Sequence, residues 1–131
     1  MSNPLTLNPK TADLTESYGN GRIYSCIMGS PAATANLQSV KWDGSNVNTV
    51  VPCTSNLDAC IGLAEVATAT GASVRVLGPG CKVNTGLTLS VGGKVEPSSA
   101  GSLQNYTSGT VVATVIDGTS NASIVRLCMP Y

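Results

Sequence analysis

The chain has 131 residues, 42% of them hydrophobic and only 11% charged, and its seven Lys and Arg balance seven Asp and Glu. That suits one compact domain of ordinary size and leaves little material for a second core. The basic residues are scattered along a neutral chain, which gives a phosphate backbone little to hold and builds no basic amphipathic run, so neither nucleic acid nor a membrane is an expected partner.

Residues 1–18 form the first predicted element, an extended arm. The Asn3-Pro4 and Asn8-Pro9 steps push the preceding residues toward extended backbone. Leu5 and Leu7 alternate with Thr6 and Asn8, giving the arm one apolar edge that can lie in a groove or add a strand to a neighbour. Pro4, Leu5, Leu7 and Pro9 are therefore the candidate contact residues, the alternative being an untethered tail. This leading stretch lacks the basic head and apolar run of a secretion signal, and no apolar run approaches the ~20 residues of a membrane span, so synthesis in the cytoplasm is expected.

Residues 19–131 read as a single all-β domain, a small antiparallel barrel or sandwich with hairpins. After the YGNG turn signal, RIYSCIM has strand composition. Ser30 before Pro31 resembles a helix cap and first position, which makes 30–39 the one place for a short helix. Asp43-Gly44 within VKWDGSNVN and Gly92-Gly93 within LTLSVGGKVEP are hairpin signals. Further strands are expected near 59–66, 72–77, 85–91, 110–116 and 123–129. Gly78 and Gly80 are expected to turn a tight corner around Pro79. With one Trp, four Tyr and no Phe, aliphatic side chains must fill the interior, which is expected to be narrow.

Five cysteines, Cys26, Cys53, Cys60, Cys81 and Cys128, contain no Cys-x-x-Cys pair, so a metal site is not expected. Cys26, Cys60 and Cys128 read as apolar fillers within strands. Cys53 and Cys60 flank the polar turn CTSNLDAC and are open to bridging in oxidising surroundings, though not in a cytoplasm. The chain has no histidine, which removes Ser-His-Asp and Cys-His nucleophile systems. Lys10, Lys41, Lys82 and Lys94 read as solvated surface residues. Among the carboxylates, Asp43 and Asp117 precede glycine and read as turn residues, and Glu65 as a solvent-facing strand residue. Asp13, Glu16, Asp58 and Glu96 fall in no motif. No catalytic residue, cofactor or metal is expected, and the chain does not read as an enzyme.

A passage is used twice. Ile61, Gly62, Ala64, Thr68, Val74, Arg75 and Val76 recur 51 positions later as Val112, Ala113, Val115, Thr119, Val125, Arg126 and Leu127. The run IGLA, the strand VRVLG, then KVNTGLTLSVGGKVEP and the closing GTVVATVID…ASIVRL together resemble the capsid decoration, or cement, proteins of tailed double-stranded DNA bacteriophages. The resemblance covers about residues 59–129. The arm and the segment from Gly29 to Asp58, which holds Trp42, depart from that pattern.

The resemblance implies a structural virion protein, made in the host cytoplasm, that binds the outside of a filled head through the major capsid protein. It also implies a homotrimer that resists the pressure of packaged DNA; the apolar edge of the arm, which the resemblance does not cover, makes Pro4, Leu5, Leu7 and Pro9 the candidate capsid or inter-subunit contacts. Composition is compatible: Ser, Thr, Asn and Ala lose little side-chain entropy on burial in an interface, and a lattice multiplies weak contacts. The alternative from another class is a sugar-binding or adhesive β module that stacks ligands on Trp42, Tyr18, Tyr24 and Tyr106. A carboxylate-pair hydrolase ranks last.

Overall fold

The computed structural model describes residues 21–99, 101–119 and 122–128. The predicted arm, with Pro4, Leu5, Leu7 and Pro9, lies outside the described residues. Among those described the fold is all-β, with no helix.

The first half contributes β1 (Ile23–Met28), β2 (Gln38–Trp42), β3 (Thr49–Pro52), β4 (Gly62–Ala64) and β5 (Ser73–Leu77). They close into a barrel of order β1-β3-β2-β4-β5. Closure needs two different ladders on β1: Ile23 to Ile27 run antiparallel to Leu77 to Ser73, while Ile27 and Met28 run parallel to Thr49 and Val50. Cys26, Met28, Val40, Val50, Ile61, Ala64, Val74 and Val76 fill the barrel, so aliphatic and sulfur side chains do replace the missing aromatics.

The second half contributes β6 (Lys82–Asn84), β7 (Lys94–Pro97), β8 (Leu103–Asn105), β9 (Ala113–Thr119) and β10 (Ala122–Leu127), in a sheet of order β6-β10-β9-β7-β8. Written from its third strand, the barrel reads β3-β2-β4-β5-β1; the second sheet reads β8-β7-β9-β10-β6, the same order with each label raised by five. The ladders shared between the halves are antiparallel in both. The sequence repeat of 61–76 in 112–127 is thus the legible part of a repeat that spans five strands. The halves differ at one seam: β1 and β3 pair, and their counterparts β6 and β8 form opposite edges of an open sheet.

Register distinguishes the halves further. Leu63 faces Leu77 in the barrel, whereas Thr114, 51 positions on, faces Arg126 and not Cys128. The ladder has slipped by two residues. Because side chains alternate with period two, this slip keeps every inward residue inward. A bulge in β9, where Ile124 faces Asp117 and Val125 faces Val115, leaves Ile116 unpaired and exposed.

Several expectations are corrected. Residues 30–39 form no helix: Ala33 bridges Thr68, and the Gln38 side chain accepts the N–H groups of Thr34 and Ala35, holding the chain in a turn. The Ser30-Pro31 peptide is cis. Residues 85–91 form no strand despite the alternation of Leu87 and Leu89. The Ser123 hydroxyl accepts the Leu89 N–H at 2.8 Å, and the Ser123 N–H donates to the Leu87 carbonyl at 2.9 Å. The segment thereby crosses the start of β10 and buries Leu89 in the core. Gly92-Gly93 makes a turn, Gly93 N–H to Ser90 O at 3.0 Å, but β7 then pairs with β8 and β9 rather than with the segment before the turn. Asp117 lies inside β9 and not in a turn. The corner around Pro79 is as expected, with Gly80 at φ +89° and the Cys81 N–H on the Gly78 carbonyl.

Ser123→Ala removes the acceptor for a buried N–H while leaving the shape of the site nearly unchanged. We expect a loss of about 1–3 kcal/mol in unfolding free energy, measured by urea titration.

Candidate functional site

The strongest concentration of polar groups lies where the two halves meet. Cys53, Cys60, Leu63 and Leu77 from the barrel share one apolar cluster with Cys81, Val83, Val95, Leu103, Val112, Val125 and Leu127. Ser39, fully buried on β2, donates from its N–H to Gly101 O at 2.7 Å and from its hydroxyl to Ser102 O at 3.1 Å. A barrel that must bury apolar surface on a sister sheet needs such bonds to fix the angle between them.

Glu96 is the centre of this junction. It sits in the middle of β7, fully buried, and among the described residues no cation pairs with it. Its carboxylate instead accepts bonds from the N–H groups of Thr107, Ser108 and Gly109, the Thr107 hydroxyl, the Gln104 amide and the Asn56 amide. Burial alone pushes the carboxyl up; the Gln104, Gly109, Thr107 and Asn56 donors outweigh it and hold the group far below the usual carboxylate range. Asn56 belongs to the barrel half, and its own carbonyl accepts the Thr110 N–H at 2.8 Å. One buried charge therefore organises two loops from different halves.

The barrel has a counterpart. Lys41 on β2 reaches Asp58 at 3.2 Å, and Asp58 also accepts the N–H groups of Thr54 and Ser55 at 2.8 and 3.1 Å. Burial raises the Asp58 carboxyl, and these donors together with Lys41 bring it below its ordinary value. In each half, then, a charged residue on the second strand pins the loop between the third and fourth strands. Lys41 is partnered and not free in solvent. Glu65, expected to face solvent, is paired with Arg75 at 3.3 Å.

The arrangement is architectural in its chemistry. Every oxygen of Glu96 already accepts bonds from its own chain, and Asp43 accepts the Asn46 amide across its turn. Among the described residues, no group of three or more Cys, Asp or Glu side chains is placed to hold a metal ion. Two of the cysteine expectations change: Cys60 is buried in the loop before β4, and Cys128 is exposed beyond β10.

The exposed apolar side chains are the other feature. Val47 is 91% exposed, Leu57 70% and Trp42 49%. Val47 lies on the β2–β3 loop, Trp42 at the end of β2, and Ile27, also exposed, on β1, where its N–H donates to Asn48 O. These three border one rim of the barrel. The proposed aromatic platform is not gathered in one sheet: Tyr24 packs against the barrel core, Tyr106 follows β8 with the Lys94 ammonium 5.8 Å from its ring centroid, and Tyr18 lies outside the described residues.

Sequence reasoning weighed Glu96 with every other carboxylate because its donors come from positions 56, 104 and 107–109. No local pattern announces them. The chain matches no protein-family model, and no curated protein matches it.

Proposed function

We propose that this chain is a structural virion protein that binds the outer surface of a tailed-phage capsid and stabilises the head against internal DNA pressure, acting as a homotrimer on the major capsid protein. The observation that carries the reading is the set of bulky apolar side chains, Val47, Trp42 and Ile27, held out at one barrel rim of a body otherwise short of charge. Such a rim favours being covered, and repeated contacts on a lattice turn modest patches into firm attachment. The junction centred on Glu96 suits a body whose task is to keep its shape under load. The sequence resemblance over residues 59–129 supplies the identity of the covering partner.

Light scattering followed by co-sedimentation with undecorated heads tests the reading. A trimer that pellets at a saturable, symmetry-related ratio supports it, and a monomer left in the supernatant overturns it. Deleting residues 1–17 is expected to abolish head binding while leaving the β circular dichroism spectrum intact. Normal binding by the truncated chain would remove the arm's role. A sugar-binding or adhesive module is the second reading, favoured only by the exposure of Trp42. Retention on a glycan array with quenching of Trp42 emission would establish it.

A further inference from the structure

The rim that carries Ile27, Trp42 and Val47 is held in shape by its own hydrogen bonds. Ile27 lies opposite Thr49 on one flank of β3, and Trp42, the last residue of β2, lies opposite Val50 on the other. Asn48, next to Val47, accepts the Ile27 N–H on its carbonyl at 2.9 Å and donates its side-chain amide to Ser25 O at 3.0 Å. The Asp43 N–H donates to Thr49 O at 2.9 Å, and the Asn46 amide closes the loop onto the Asp43 carboxylate at 2.7 Å. The loop is tied to both flanking strands, so the three apolar side chains are held out in water and do not collapse onto one another. Covering them is favourable in proportion to the apolar area removed from water.

Two facts point to what covers them. Three side chains offer on the order of a few hundred Å², far short of the roughly 1,200–2,000 Å² of a stable interface between free proteins. A segment tethered to the same body needs no such area, because its local concentration is already about millimolar. The chain supplies one: residues 1–20 lie ahead of the described body, carry no charged side chain before Lys10, and alternate Leu5 and Leu7 with polar neighbours.

The reach is sufficient. The chain enters β1 at the end away from this rim, where the Arg22 N–H donates to Pro79 O at 3.0 Å and the Arg22 carbonyl accepts the Gly78 N–H at 2.7 Å. From Gly21 to Ile27 the strand rises roughly 20 Å. The stretch from Leu7 to Gly21 spans roughly 46 Å when extended, which allows a return along the barrel with slack.

We propose that the rim of Ile27, Trp42 and Val47 is the seat of the chain's own N-terminal segment 4–9, which folds back in the free protein and lays Leu5 and Leu7 against it. The inference stands independently of the proposed capsid role. Where both hold, arm and rim cover each other in solution and part on the head, so truncation still removes one of two attachments.

The single tryptophan of the chain reports the contact directly. Acrylamide quenching of Trp42 emission is measured, with no heads present, on the full chain, on the chain lacking residues 1–17, and on full-length Leu5→Asp/Leu7→Asp. Trp42 of the full chain is expected to emit to the blue of both variants and to be quenched severalfold less. Thr6→Asp, on the other edge of the segment, should keep the wild-type emission. Equal quenching in the full chain and both variants overturns the proposal. So does shielding that disappears on dilution, which marks the arm of a second copy. If the truncated chain fails to fold, the full-length double variant decides alone, with its β circular dichroism spectrum as the check on folding.

Discussion

Glu96→Gln is expected to lower the unfolding free energy by about 2–4 kcal/mol, a loss several times that of an ordinary surface substitution. The replacement has almost the same shape, but it exchanges a doubly accepting carboxylate for one carbonyl and one NH2 group. Three backbone N–H groups, from Thr107, Ser108 and Gly109, converge on one carboxylate oxygen. The Asn56 and Gln104 amides and the Thr107 hydroxyl converge on the other. Whichever way the Gln amide turns, one set of part-buried donors faces another donor. Glu96→Ala removes both sets of acceptors and should cost more. Urea titration measures both, and a loss below about 0.5 kcal/mol for Glu96→Gln would show the network to be dispensable.

The same residue sets a sign for pH. Its folded carboxyl lies below its unfolded value, so the folded state binds fewer protons and the group contributes stability above the unfolded value of about 4.3. That contribution is lost progressively as pH falls from there toward the folded value. Asp58, also lowered, acts in the same direction. Wild-type stability should therefore decline on acidification below about pH 4–5, and the decline should be shallower in Glu96→Gln. An unchanged slope would mean that other carboxylates dominate acid unfolding.

Gly62→Ala is expected to cost about 2–4 kcal/mol, at or above the upper part of the usual range for overpacking. A Cβ at Gly62 would run into the Leu77 carbonyl oxygen and come within 2.6 Å of Val76 Cγ1. Neither neighbour can withdraw, since Val76 and Leu77 belong to the ladder that closes the barrel. The repeat supplies an internal control, because the matching residue is Ala113, fully buried and opposite Leu127 after the two-residue slip. Ala113→Gly should cost only about 1 kcal/mol, through lost packing and added backbone freedom. Comparable losses at the two positions would show that register does not govern what each can hold.

How much of this was legible follows from where each signal resides. The β9–β10 and β4–β5 pairs were readable because their apolar runs repeat, and the β2–β3 hairpin because Asp43-Gly44 marks its loop. β6 and β8 escaped because KVN and LQN each hold one aliphatic residue, too few to show alternation. Leu87 and Leu89 alternate as a strand does, yet they owe this to burial over β10 and to a serine side chain standing in for a ladder. Ser30-Pro31 has helix-start chemistry, overridden by the bridge between Ala33 and Thr68. The Glu96 cluster needs Asn56 brought to β7 from 40 residues away, which only the fold accomplishes. Barrel or sandwich was left open, and the answer is one closed and one open sheet built on a single strand order.

That strand order has a mechanical corollary. The first and last described strands are not at margins: β1 lies between β3 and β5, and β10 lies between β6 and β9. A pull along either strand must shear two ladders at once, whereas an edge strand peels away one bond at a time. Force entering at Ile23 or Leu127 is therefore shared immediately by three strands, and the body should yield abruptly and late, as a brittle element, with little gradual unravelling.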